Sequence, residues 1–220
     1  MTQSSFDSYN QFLEDGNLDR FTKILSRYDF FKMITELPGD IVECGVGHGH
    51  SLFKLCCLSI YENKNRSIYG FDSFEGFPEP TSEDISHRKP KKGEWKIANP
   101  SEIKEFLLNE GHLDKSFINS NVKLIKGFFK STLPKYQGDK IALLHLDVDL
   151  YQSYKETLEY FWPKVANKGV VLFDEYKQED SLYKFPGAAE AIDEYFGSLS
   201  LVNNIQYNKQ ANRYYIIKNE

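Results

Sequence analysis

Six carboxylates in this sequence follow short apolar runs, where a chain would be leaving a buried strand. Glu43 follows Ile41-Val42, and Asp72 follows the run from Ser67 to Phe71. Asp147 and Asp149 follow Lys140 to Leu146, and Asp174-Glu175 follows Val170 to Phe173. An ionised carboxylate is costly to bury alone, so acids recurring at this position imply partners. Carboxylates converging from neighbouring strand ends suit a hard cation with oxygen ligands, such as Mg2+. Such an ion could hold two neighbouring hydroxyls of a substrate and lower the pKa of one of them. A plainer reading makes Asp147 or Asp149 the cap of a helix starting near Tyr151.

The stretch DIVECGVGHGHS, Asp40 to Ser51, adds a second chemistry. Gly45, Gly47 and Gly49 lie between an apolar run and a helix-like segment. Glycine loses the most backbone freedom on folding, so three in close succession imply close approach of backbone to something. That something is either a tightly packed neighbour or a nucleotide-like ligand lying against backbone N–H groups. Asp72 stands where an acid accepts ribose hydroxyls in nucleotide-binding α/β folds. Glu43, just before the glycines, repels a pyrophosphate and attracts an ammonium. The ligand is therefore expected to carry a ribose and a positive amine. S-adenosylmethionine has both, whereas NAD lacks the amine. His48 and His50 read as incidental polar residues. His145 alternates with apolar neighbours and reads first as a core histidine. It joins Asp147 and Asp149 as a candidate catalytic residue.

The elements that must position these residues alternate. Helical periodicity predicts a helix over 18–36, closed by Leu37-Pro38-Gly39. Strands are predicted at Ile41-Val42, 67–72, 121–126, 140–147 and 170–173. Helices are predicted over 51–61, 101–110, 154–165 and 188–196. An antiparallel pair, 205–208 and 213–218, closes the order. Strands alternating with helices imply a doubly wound, mostly parallel α/β sheet with helices on both faces. The whole chain, 1–220, reads as one domain with an N-terminal helical segment, 1–37. Residues 73–100 carry four prolines and the basic stretch His87 to Lys92, and they read as a lid or substrate loop.

Composition excludes several classes. A net charge of −5 and the absence of a basic stripe argue against nucleic acid. No apolar run approaches a membrane span, and the first residues do not resemble a secretion signal. Three cysteines, Cys44, Cys56 and Cys57, make a poor disulfide framework and imply a reducing compartment. The expected location is cytoplasmic.

The segments GDIVECGVGHGHS, GFDSFEGFP, LIKGFFKSTLP, the run from Leu143 to Tyr176 and FPGAAEAIDEY resemble the macrocin O-methyltransferase family. The resemblance runs from about Tyr28 to Phe196. It implies a class I methyltransferase sheet of seven strands, the last antiparallel, and an S-adenosylmethionine-dependent enzyme that methylates sugar hydroxyls. It implies that Glu43, Gly45 and Ser51 meet the methionine end of the cofactor, with Asp72 and Ser73 at the ribose. The turn after Gly127, including Phe128, would lie near the adenine. Cys44, Gly47, Gly49 and Asp147 complete the expected cofactor surround. A divalent cation would be held by Asp147, Asp174 and Glu175, Glu175 standing where the family usually has aspartate. The expected partner is a small sugar-like molecule, and the expected assembly is a homo-oligomer, a dimer favoured. Two other readings fit parts of the sequence. Asp147-Val148-Asp149 resembles the metal-holding element of a glycosyltransferase, and a non-catalytic cofactor-binding module would keep the glycine turn alone.

Overall fold

The computed structural model describes residues 18–219, with side chains from Thr22 onward, so residues 1–17 of the N-terminal segment lie outside the described residues. Helix α1 spans Leu18–Ile34. It is followed by β1 (Asp40–Cys44), α2 (His50–Glu62) and β2 (Ile68–Asp72). After a long loop come α3 (Pro100–Glu105, extended by a wider turn to Glu110), α4 (Lys115–Asn121), β3 (Val122–Lys126) and α5 (Phe129–Thr132). The second half runs β4 (Ile141–Leu146), α6 (Tyr151–Phe161), β5 (Val165–Phe173), α7 (Glu179–Lys184), α8 (Pro186–Ser198), β6 (Gln206–Asn208) and β7 (Arg213–Ile217).

The strands form one seven-stranded sheet in the order β3-β2-β1-β4-β5-β7-β6. The first five are parallel, and β7 runs antiparallel to both β5 and β6. Successive side chains of a strand point to opposite faces. Val171 and Phe173 of β5 therefore join the core under α6 and α8, while Val170 and Leu172 join the core under α1 and α2. Glu43 pairs in register with His145. Both therefore face α1, and this sets up the site described below. Strand order reverses between β1 and β4, where crevices form at the carboxyl ends of such sheets.

Several boundaries differ from the sequence expectation. Strand β5 starts five residues early, at Val165, because Val165 pairs with Ile141 across an irregular register. Helix α6 starts at Tyr151 and ends at Phe161, where Trp162-Pro163 tightens the chain. Helices α4, α5 and α7 are too short to show helical periodicity and were not anticipated. Arg66 ties the first elements together. Its buried guanidinium binds Glu62 twice, at 2.7 and 2.8 Å, and donates to the carbonyls of Gly39 and Ile34 at 2.8 and 2.9 Å.

The long loop is a folded unit. Phe77 N–H donates to the Glu94 carbonyl at 2.8 Å, and Gly93 N–H returns to Phe77 at 3.0 Å. Arg88, in the basic stretch His87 to Lys92, pairs with Glu94 at 2.8 Å and is largely buried. Asp84 reaches across the fold to accept the Tyr151 N–H at 2.8 Å, at the first residue of α6.

Candidate active site

A cavity of about 760 Å³ opens at the switch point, over the carboxyl ends of β1, β2, β4 and β5. Its wall includes Gly45, Gly47, Ser51, Asp72, Ser73, Phe128, Asp147, Asp149 and Asp174, nine of the residues singled out by sequence. The turn after β1 explains its glycines one by one. A Cβ on Gly45 would stand 1.7 Å from the Asp147 carbonyl oxygen, so the turn and the end of β4 can meet only through glycine. Gly49 packs against Ile103 and Phe106, the tight-packing role. A Cβ on Gly47 would meet nothing within 4 Å, which leaves room on the cavity wall for a ligand.

Asp72 organises this turn. Its Oδ2 accepts the N–H groups of Val46 and Gly47 at 2.8 and 3.0 Å, and its Oδ1 accepts the Phe74 N–H at 2.7 Å. The carboxylate thus holds the glycine turn while standing on the wall, with lone pairs of Oδ1 left for a hydroxyl donor.

Other expected residues stand behind the wall. Glu43 is fully buried, and its Oε1 lies 2.9 Å from His145 Nδ1. Its Oε2 has no hydrogen-bond partner among the described residues. Cys44 belongs to the core under α6, and Gly127 donates to the Asp72 carbonyl at 2.9 Å. His145 is fully buried and off the cavity wall. Its Nε2 faces Arg27 Nη2 at 3.0 Å.

The acids separate into two environments. Asp174 is held by Arg213 through two hydrogen bonds, at 2.9 and 3.1 Å, with Arg27 at 3.5 Å and His145 at 3.6 Å. Burial alone would raise its pKa, but the His145 contact and both guanidinium charges hold it far below the usual carboxylate range. Asp147, Asp149 and Glu175 are pushed the other way, first by burial and then by repulsion from neighbouring acids. Glu175 lies behind the wall, where its Oε2 accepts from the Tyr154 hydroxyl at 2.9 Å and the Asp149 N–H at 3.3 Å. Neither Asp147 nor Asp149 caps α6, because Asp84 takes that place.

Asp147 belongs to two groups whose donor atoms lie within 4.8 Å of one another: with His145 and Asp174, and with Asp149 and Glu175. The expected trio of Asp147, Asp174 and Glu175 is divided between them. The first group is already neutralised by arginine. The second is all oxygen, which is the donor chemistry a hard dication takes.

Arg27 and Arg213 escaped the sequence reading. For Arg27 a signal existed, since it shares a helical stripe with Phe30, Phe31 and Ile34, where a charge needs a buried partner.

The family model for macrocin-O-methyltransferase (TylF) matches residues 24–207. The chain belongs to the macrocin-O-methyltransferase (TylF) family. The seven-stranded sheet with β7 antiparallel agrees with what the resemblance implied. Demethyldecarbamoylnovobiocin O-methyltransferase of Streptomyces niveus is 29% identical over 175 residues, 77% of this chain and 62% of its own length. The 8-demethyl-8-(2,3-dimethoxy-alpha-L-rhamnosyl)-tetracenomycin-C 4'-O-methyltransferase of Streptomyces olivaceus is 31% identical over 144 residues, 64% of this chain and 54% of its own. This TylF-family chain therefore spans less than two thirds of either curated relative. The crystal structure of CalS11, a calicheamicin methyltransferase, superposes with a TM-score of 0.82 at 26% identity, over 97% of this chain and 85% of that one.

Proposed function

We propose that this TylF-family chain transfers the methyl group of S-adenosylmethionine to a hydroxyl of a sugar or sugar-containing small molecule, assisted by a divalent cation such as Mg2+. The observation that carries the reading is the meeting, in one cavity, of the glycine turn, the Asp72 carboxylate and Asp147-Val148-Asp149. The names of the relatives, which act on novobiocin, tetracenomycin and calicheamicin precursors or products, support the same chemistry. The rhamnosyl group in one of those names makes rhamnosides the first acceptors to test.

When bound, the cofactor supplies an activated sulfonium methyl and the cation supplies positive charge beside the acceptor hydroxyl. The chain's own residues orient and hold. Gly45, Gly47 and Ser51 would border the amino-acid end of the cofactor, Asp72 and Ser73 the ribose, and Phe128 the adenine. Asp147, Asp149 and Glu175 would hold the cation, while Arg27 and Arg213 keep Asp174 ionised and in place. Asp147 and Asp149, which stand on the cavity wall, are the candidate acceptors for the hydroxyl proton. Buried His145 acts as a positioning residue between Glu43 and Arg27. Alignment of the sulfonium with the oxygen is the main task, because the methyl is already activated. Three free thiols suit a cytoplasmic location.

The test is Asp147→Ala. Transfer to a rhamnoside should vanish while calorimetric binding of S-adenosylhomocysteine stays nearly intact. Full activity in this variant, or in excess chelator, would remove the cation from the mechanism. Absence of S-adenosylhomocysteine binding by the unaltered protein would sink the whole reading.

A further inference from the structure

An exposed aromatic side chain on the wall of a concave site offers apolar surface that a ligand gains by covering. Trp95, 50% exposed, lines the active-site cavity, as do Ile97 and Phe128, each 39% exposed. Trp95 is also held firmly. The Arg88 guanidinium carbon lies 4.4 Å from the centre of the indole. Phe77 and Phe185 pack beside the ring at 5.0 and 5.8 Å between centroids. Arg88 is fixed in turn by Glu94, and it also lies 5.5 Å from the Phe77 ring and 5.4 Å from that of Phe185. A cation over one ring face is a favourable arrangement and leaves the remainder of the indole to the cavity.

The loop that carries Trp95 is anchored beside the acids. Asp84 accepts the Tyr151 N–H, two residues beyond Asp149, and Ser86 donates to the Lys184 carbonyl at 2.7 Å. The loop is therefore tied to the start of α6, just after Asp149, and Trp95 lines the same cavity as Asp147 and Asp149.

We propose that Trp95 is the platform on which the acceptor sugar stacks, and that Arg88 is the positioning residue that fixes it. This rests on the methyl-transfer reading above. The apolar C–H face of a pyranose ring covers the exposed indole, while its hydroxyls are directed to the acids. Loop 73–99 is then the element that selects the acceptor. The rigid ring costs little conformational entropy when it is covered, which is why tryptophan serves as an anchor in recognition sites.

The experiment uses the full chain and methyl α-L-rhamnopyranoside, followed by saturation-transfer NMR with and without S-adenosylhomocysteine. In the unaltered protein, saturation should reach the sugar ring protons. Trp95→Ala should weaken sugar binding about tenfold, a loss typical of an anchoring aromatic. Trp95→Phe, which keeps a ring there, should restore most of it. Arg88→Gln should weaken the sugar and leave calorimetric binding of S-adenosylhomocysteine unchanged. No transfer to the sugar of the unaltered protein, or unaltered sugar binding in Trp95→Ala, overturns the proposal. So does a tenfold loss of S-adenosylhomocysteine affinity in Trp95→Ala, which would make the indole part of the nucleoside site. If the unaltered protein fails to bind S-adenosylhomocysteine, the cofactor reading falls, and the sugar arm without it still judges the platform.

Discussion

Two glycines in one turn, Gly45 and Gly47, should respond to the same substitution in different ways. In Gly45→Ala the new Cβ would stand 1.7 Å from the Asp147 carbonyl oxygen, half the 3.4 Å at which ordinary contact begins. Neither side can yield freely. Gly45 N–H donates to Phe71 and Asp147 N–H donates to Cys44, both at 2.9 Å. Gly45 also has φ +86°, a conformation that costs an L-residue about 1–2 kcal/mol. Losing those two hydrogen bonds adds about 1 kcal/mol each, so the variant should be less stable by about 3–4 kcal/mol. For a chain of this size that is a fall of roughly 10 °C in Tm. Gly47 has φ +51° and open space around its Cβ, so Gly47→Ala carries only the conformational cost, a fall of about 4 °C. Its methyl group would stand in the cofactor space and weaken S-adenosylhomocysteine about tenfold. Thermal melts with and without ligand, and calorimetry on both variants, separate the two effects. If Gly45→Ala melts with the unaltered protein, or Gly47→Ala binds S-adenosylhomocysteine as tightly, the account of this turn is wrong.

Three further outcomes follow from residues away from the cavity. Arg66→Ala strands the Glu62 carboxylate and two carbonyls, and should cost about 3–5 kcal/mol by denaturant unfolding; a loss below about 1 kcal/mol would contradict its role as a tie. Burial raises the Asp40 carboxyl above 3.8, against the opposing hydrogen bond from Tyr136. Its contribution to stability is therefore present below that value and lost as pH rises through the folded-state pKa. Asp40→Asn should flatten that decline and raise stability at neutral pH, and Tm against pH would refute this if the two slopes coincide. Burial pushes up the thiols of Cys44, Cys56 and Cys57, but Cys57 is only half buried. A thiol-labelling time course should therefore modify Cys57 first. Faster labelling of Cys44 would mean that the core opens at β1.

The strand ends were legible because their chemistry is local. Apolar runs closed by acids needed only the reading of consecutive residues, and the register of a parallel sheet then brought Glu43 beside His145 and Asp147 beside the glycine turn. Burial depth was not legible. Glu43 and Glu175 look as available as Asp72 in the sequence, yet both sit behind the wall: strand alternation aims Glu43 into the layer under α1, and the Tyr154 hydroxyl and Asp149 N–H hold Glu175 inward. The arginines were hidden by sequence distance. Arg213 meets Asp174 only because β7 inserts beside β5, and Arg88 finds Trp95, Phe77 and Phe185 only once the loop is folded. The short helices α4, α5 and α7 are set by capping and tertiary contact, as where Asp114 accepts the N–H groups of Ser116 and Phe117.

The double clamp on Asp174 has a bearing on synthesis. Arg27 arrives with the first described helix and Arg213 with the final strand, so a growing polypeptide on the ribosome holds the acid and one cation long before the other exists. Until β7 emerges, the half-made rim keeps an acid short of its second counterion, and β5 keeps an unpaired edge. Closure of the rim around Asp174 thus waits on the β6–β7 hairpin.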